Sequence, residues 1–188
     1  MRIIAGTAGG RKLVSPEGLD VRPTTDRVRE AVFNTLYSRD VIEGARVLDV
    51  FAGTGAYGLE ALSRGAAHIT CVDIDRRSIG LINDNLELLG FTDQATVLTG
   101  DAVEVVRRFD TPFDIAFADP PYDWSEDQWR ALLAVVPAAL LVAESDRELD
   151  EMVQADETLG WVTDRSRRYG STVVTLLQPM GGSAGAQG

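Results

Sequence analysis

At 188 residues, 45% apolar, 25% charged and 7% aromatic, the chain has the length of one domain of roughly 150 residues and the composition of an ordinary globular protein, which excludes collagen-like, coiled-coil and largely disordered classes. A single cysteine, Cys71, and a single histidine, His68, exclude a disulfide framework, a Cys-rich zinc site and a His cluster for a metal, and a Ser-His-Asp triad would need His68 itself as base. The net charge of −11 argues against indiscriminate binding to nucleic acid or anionic lipid, yet residues 1–46 hold eight basic and six acidic side chains against ten and twenty-three in the remainder, so a front end of +2 precedes a body of −13.

The N-terminus lacks the apolar stretch of a signal peptide, and no apolar run reaches the ~18 residues of a membrane helix. A cytoplasmic protein with no membrane partner is expected. Residues 2–5 and 11–14 flank Gly-Thr-Ala-Gly-Gly and read as a hairpin. Residues 24–38 place Val28, Ala31, Val32, Thr35 and Leu36 at helical spacing, with Thr24 or Thr25 as N-cap. From residue 46 onward, apolar runs at 46–51, 68–73, 95–99, 113–118 and 139–144 read as strands. Between them, 57–64 forms a helix ending at Gly65, and 76–89 forms one with Ile79, Ile82, Leu86 and Leu89 on a single stripe, stopped by Gly90. Such an alternation predicts a doubly wound α/β domain with a parallel sheet covered on both faces. Residues 161–168 and 171–178, joined by Tyr169 and Gly170, predict an antiparallel hairpin at the sheet edge. The chain divides into an N-terminal extension (1–44), a main domain (45–178) and a short flexible tail (179–188).

The first strand runs into Asp49-Val-Phe-Ala-Gly53-Thr-Gly55-Ala-Tyr-Gly58 and then a helix. Glycines allow a sharp turn and close approach to a ligand, and a helix N-terminus follows. Asp73 ends the second strand twenty positions after Gly53, where a carboxylate meets a ribose hydroxyl, so an adenosine-containing ligand is expected; Asp75 is the rival for that role. A dinucleotide would set its pyrophosphate at the turn, whereas S-adenosylmethionine carries no phosphate. Asp49 favours the sulfonium ligand, since it could receive the ammonium group of the methionine part; alternatively it orders the loop through backbone N–H groups.

The fourth strand ends in Asp119-Pro120-Pro121-Tyr122. Two prolines hold the segment extended and carry no N–H, so it presents acceptors. Acceptors gripping an exocyclic amino group favour localisation of its lone pair for in-line attack on a methyl group, catalysis by positioning and electrostatics. Tyr122 offers a face for a planar base taken out of its stack.

The glycine turn, the acidic second strand, Gly100-Asp101-Ala102 and Asp-Pro-Pro-Tyr, in that order, resemble the class I S-adenosylmethionine-dependent amino-methyltransferases. Arg2-Ile-Ile-Ala-Gly, Gly10-Arg-Lys-Leu and Arg22-Pro-Thr-Thr-Asp-Arg-Val-Arg-Glu30 are similar, more narrowly, to the bacterial small-subunit (16S) ribosomal RNA guanine-N2 methyltransferases. The resemblance runs over residues 1–178. It implies a Rossmann-like, seven-stranded, mostly parallel sheet with an antiparallel last strand, and S-adenosylmethionine as cofactor, with Gly53, Gly55 and Gly58 around the methionine end, Asp73 on the ribose, Asp101 beside Ala102 at the adenine, and Asp119 to Tyr122 holding guanine. Arg22 and Thr24 are expected over the cofactor pocket, with Arg22 near a carboxylate or an RNA phosphate. Arg2, Arg11, Lys12 and Arg27 are expected to dock on RNA. The acidic body departs from what an enzyme of naked RNA would carry and points to an assembled or partly assembled subunit as substrate.

Cys71 reads as a packing residue, His68 as a surface or edge residue, Asn83 and Asn85 as exposed, and Arg165, Arg167 and Arg168 as solvated. The expected activity is methyl transfer to guanine N2 of small-subunit ribosomal RNA by a monomer that needs neither metal nor DNA. The rivals are an adenine-N6 or glutamine-N5 methyltransferase, a nicotinamide-dependent oxidoreductase, and a non-catalytic ribosome-assembly factor.

Overall fold

The computed structural model describes residues 1–15, 23–121 and 123–181, apart from the side chains of residues 23–25. Arg22, Tyr122, the Thr24 side chain and residues 182–188, with the expectations placed on them, lie outside the described residues. Helix α1 (Pro23–Tyr37) precedes β1 (Arg46–Val50), α2 (Ala56–Ser63), β2 (His68–Asp73), α3 (Arg76–Leu89), β3 (Ala95–Thr99), α4 (Ala102–Val106), β4 (Phe113–Ala118), α5 (Glu126–Leu133), β5 (Ala138–Ser145), α6 (Asp150–Ala155), β6 (Trp161–Tyr169) and β7 (Thr172–Pro179). The sheet order is β3-β2-β1-β4-β5-β7-β6. β1 to β5 pair in parallel, and β7 runs antiparallel to both of its neighbours. Among the described residues, no helix is long and apolar enough to cross a membrane.

The central strands are apolar almost throughout because each has a helix layer on both faces. One layer packs Val28, Phe33 and Leu36 of α1, Leu59 of α2 and Ile82 and Leu86 of α3 into a single core. The opposite layer buries Val106 of α4, Trp129 and Leu132 of α5 and Val153 of α6. Gly90 stops α3 in the left-handed conformation, at φ 77°, which a residue with a Cβ adopts only at a cost. At the open edge, Arg165, Arg167 and Arg168 of β6 are exposed, as expected, and charge there discourages pairing with another chain. The proposed tail begins later than residue 179, since Pro179 closes β7 and the Met180 N–H donates to the Gly160 carbonyl at 2.7 Å.

The N-terminal hairpin is reduced to one antiparallel bridge, Arg2 to Lys12, and it lies down on α2. Glu60 and Ser63, both buried, take up its backbone. The N–H groups of Ile4 and Ala5 donate to Glu60 Oε2 and Oε1 (2.7 and 3.0 Å), and those of Thr7 and Ala8 donate to the Ser63 carbonyl and Oγ (2.7 and 2.9 Å). Gly6 sits at φ 85°, and a Cβ there would come within 1.7 Å of the Ser63 carbonyl oxygen. The expectation that Asn85 is exposed is corrected. It is fully buried, accepting from the Val14 N–H (2.6 Å) and donating to the Val14 and Thr54 carbonyls (3.0 and 3.2 Å). An amide supplies both the acceptor and the donors that this backbone needs, whereas Asn83 two positions earlier is exposed.

Candidate functional site

Open α/β sheets bind ligands beyond the carboxyl ends of their strands, where the strand order reverses. Here that point lies between β1 and β4, and a cavity of about 190 Å³ opens there. Asp49, Phe51, Gly53, Tyr57, Asp119 and Glu144 line it together with Arg29.

The turn after β1 is shaped by three residues in left-handed backbone: Phe51 at φ 64°, Gly53 at φ 56° and Gly55 at φ 77°. A bulky residue in that region is strained, and such strain persists where surrounding structure imposes it. Phe51 is held by Trp124, edge-on with centroids 4.6 Å apart, and Trp124 meets Trp129 in the same way at 5.5 Å. Gly53 donates its N–H to Asp73 Oδ2 at 2.7 Å, while Asp73 Oδ1 accepts from the Asp75 N–H at 2.8 Å. Asp73 therefore ties the turn to the end of β2, and Asp75 caps α3 through the Arg77 N–H. Gly58 lies behind the turn, where a Cβ would meet Ile69 Cδ1 at 3.0 Å and Cys71 Sγ at 3.3 Å. Its N–H donates to Asp49 Oδ2 at 2.9 Å. Gly58 thus brings helix and strand together and is not among the residues lining the cavity.

Of the two roles open to Asp49, loop ordering is present in this bond. Asp49 also lines the cavity. Burial pushes its carboxyl from 3.8 up to about 8, opposed by the Gly58 bond and aided by Asp119, Asp73 and Glu144. Glu144 at the end of β5 is raised from 4.5 to about 7 by burial, with Arg29 pulling the other way, and it accepts a hydrogen bond from the Tyr57 hydroxyl. Asp119 is open to the cleft, yet protein crowds it closely enough that desolvation raises it from 3.8 to about 6. Three carboxyls held against their charged forms suit a cationic ligand, which would restore their ionisation.

After β4 the Pro121 carbonyl accepts from the Trp124 N–H at 3.1 Å, closing the turn. Among the described residues no hydrogen bond engages the Asp119 carboxyl, so it stands in the cleft as a free acceptor, with Pro120 buried beneath it. Tyr57 lies in a stack with Phe117 (centroids 4.7 Å) and Phe33 (6.0 Å), which fixes one wall of the cavity.

The structure brings Asp49, Gly53 and Asp119 onto one cavity and leaves Gly55, Asp73, Asp101 and Ala102 outside its lining. Asp101 is exposed and caps α4, accepting from the Glu104 N–H at 3.1 Å, and Ala102 is buried. Arg2, Lys12 and Arg27 are exposed. Arg11 is also at the surface, but its guanidinium donates to the Leu88 and Leu89 carbonyls at the end of α3, a cation at a helix C-terminus. Cys71 is buried, its thiol pushed up by burial and by Asp49 and Asp73. His68 is half-buried and meets Thr96 Oγ1 at 3.0 Å. Arg29, Tyr57 and Glu144 were not singled out by sequence. Glu144 closes an apolar strand as Asp73 and Asp119 do, a signal that was available, whereas nothing local marks Arg29 as inward-facing.

Residues 1–178 match the family described as Conserved hypothetical protein 95. YlbH of Bacillus subtilis, which carries a provisional name as an rRNA methyltransferase, is 38% identical over 192 aligned positions, 96% of this chain and 100% of that protein. "Ribosomal RNA small subunit methyltransferase D" of Escherichia coli is 46% identical over 122 residues, 65% of this chain and 60% of that protein. The solved structure of yhhF from Escherichia coli, provisionally described as a methyltransferase, is 38% identical with a TM-score of 0.78, covering 95% of this chain and 97% of that one. The seven-stranded mixed sheet with its antiparallel β7 is the class I methyltransferase fold.

Proposed function

The chain belongs to the family described as Conserved hypothetical protein 95, and from that membership and its cleft we propose that it transfers a methyl group from S-adenosylmethionine to the exocyclic N2 of one guanine in small-subunit ribosomal RNA. The observation that carries the chemistry is the Asp119 carboxyl, without a hydrogen bond among the described residues and lining the same cavity as the glycine turn. S-adenosylmethionine, when bound, supplies an electrophilic methyl group on a sulfonium centre. The residues present fit it: the cavity gathers three carboxyls held against their charged forms at the glycine turn, which suits a ligand that brings positive charge and is poorly matched to a pyrophosphate. That mismatch disfavours a nicotinamide dinucleotide.

Asp49 holds the ammonium end, and Asp73, already fixed by two backbone N–H bonds, presents its outer face to the ribose. Asp101 stands at the adenine edge. Asp119 and the Pro120 carbonyl accept the two N2 hydrogens, which orients the nitrogen lone pair along the line of attack. As the new C–N bond forms, N2 becomes acidic, and a carboxyl titrating near 6 can hold the departing proton at its oxygen. Tyr122, next in sequence to Pro121, is assigned the stacking face for the base. Arg2, Lys12 and Arg27 contact RNA phosphates from the exposed front of the molecule. The substrate is an assembled or partly assembled small subunit, because a body of −13 is poorly matched to bare polyanion; the enzyme acts as a cytoplasmic monomer.

Asp119→Ala tests the assignment against a non-catalytic assembly factor. The variant is expected to bind small subunits like the wild type and to transfer no label from methyl-labelled S-adenosylmethionine. Undiminished transfer would refute the role of Asp119.

A further inference from the structure

Arg29 is a buried cation, 2% exposed, set on α1 one turn before Phe33 and two turns before Leu36, so that it points into the core with them. Its Nη2 donates to the Arg2 carbonyl at 2.7 Å and to Asp26 Oδ1 at 3.1 Å. Among the described residues its Nε forms no hydrogen bond, although Glu60 Oε2 is 4.0 Å away. Glu60 is already engaged, by Arg64 Nε at 2.7 Å and by the two N–H groups of Ile4 and Ala5. Arg29 is therefore not required to neutralise Glu60, and an incompletely bonded buried guanidinium is costly. The same side chain lines the cavity that holds Asp49 and Glu144. The cavity lining in this way carries both signs of charge, a fixed cation from α1 and carboxyls from β1 and β5.

An α-amino acid end has that pattern of charge, an ammonium and a carboxylate on one carbon. Resting on the methyltransferase reading, we propose that Arg29 is the anchor for the α-carboxylate of the cofactor's amino-acid end, opposite Asp49 on its ammonium. The first helix of the N-terminal extension then takes part directly in cofactor binding. The rival anchor is the N-terminus of α2, whose Ala56 and Tyr57 also line the cavity.

The test compares S-adenosylmethionine with its decarboxylated form, which keeps the sulfonium and the amine and lacks only the carboxylate, by titration calorimetry on the wild type and on Arg29→Met. A charge-assisted bond to the carboxylate should make the wild type favour S-adenosylmethionine by about tenfold or more. That preference should collapse to near one in the variant. Losing the bonds to Arg2 and Asp26 alone would weaken both ligands together and leave their ratio alone. An unchanged ratio in Arg29→Met would hand the carboxylate to the α2 N-terminus and overturn the proposal, as would equal affinities in the wild type. Should the variant not fold, the 15N guanidinium resonances of Arg29 in the wild type decide. They are expected to shift with S-adenosylhomocysteine and stay in place with its decarboxylated counterpart, and equal shifts with both would overturn the assignment. If the wild type bound neither methyl donor, the cofactor reading itself would fail and the inference with it, an outcome distinct from binding without discrimination.

Discussion

Replacing Asp49 by Asn should move stability and ligand affinity in opposite directions. The carboxyl titrates near 8 in the folded chain against an ordinary 3.8, so folding takes up a proton between those values. Its contribution is intact below pH ~4 and is lost progressively as pH rises to about 8. At pH 7 the lag of roughly three pH steps amounts to about 4 kcal/mol, at about 1.4 kcal/mol each. Asn escapes that cost while its carbonyl keeps the bond from the Gly58 N–H, although its buried NH2 forfeits about 1–3 kcal/mol of solvation. The net gain of about 1–3 kcal/mol should raise Tm at pH 7 by roughly 2–10 °C for a chain of this size. The difference between Asp49→Asn and wild type should grow by about 1.4 kcal/mol per pH unit from pH 4 to 8. S-adenosylmethionine affinity should meanwhile fall by about 10–100-fold, because the ammonium loses an ionic partner. Chemical denaturation at several pH values and calorimetry measure both. A variant that is less stable at every pH and binds the cofactor normally would show that Asp49 only orders the loop.

Other perturbations bear on the scaffold and the chemistry. Glu60→Ala removes the acceptor of the Ile4 and Ala5 N–H groups and of Arg64, and should cost about 3–5 kcal/mol with faster amide exchange at both residues; a loss under about 1 kcal/mol would refute its role in seating the N-terminal segment. Gly6→Ala forces a Cβ into the Ser63 carbonyl, whereas Gly10→Ala meets nothing within 4 Å at a similar φ of 83°. The first should exceed the second, about 1–2 kcal/mol from conformation alone, and equal losses in denaturant titrations would mean the close approach to α2 is relaxed in solution. For Asp119, kcat/KM should climb through a limb centred near pH 6 as the acceptor ionises, and the limb should vanish in Asp119→Asn; its persistence would assign that pH dependence elsewhere.

The alternation of strands and helices was legible because parallel strands buried on both faces are short apolar runs, as in 68–73 and 113–118, which coincide with β2 and β4; 95–99 coincides with β3, the half-exposed edge strand. The amphipathic stripe of α3 and its Gly90 stop were equally local. α4, α5 and α6 have five to eight residues, too few turns to display a period, although α5 starts on a capping box of Ser125 and Gln128. Within the site, Asp49, Gly53 and Asp119 could be found because strand ends and glycine turns leave local marks. Asn85 and Arg29 could not, since each is polar on a helix, and only the arrival of the N-terminal segment decides that it faces inward. Nor could sequence show where the Arg11 guanidinium rests: the α3 carbonyls it meets lie some 78 residues away in sequence.

The central claim is tested most directly by nucleoside analysis of small ribosomal subunits incubated with the wild-type chain and methyl-labelled S-adenosylmethionine, beside naked RNA, DNA and protein. The label should appear as N2-methylguanosine at one position of the subunit RNA. Label in N6-methyladenosine, in a glutamine side chain of a protein, or in none of the four would contradict the account.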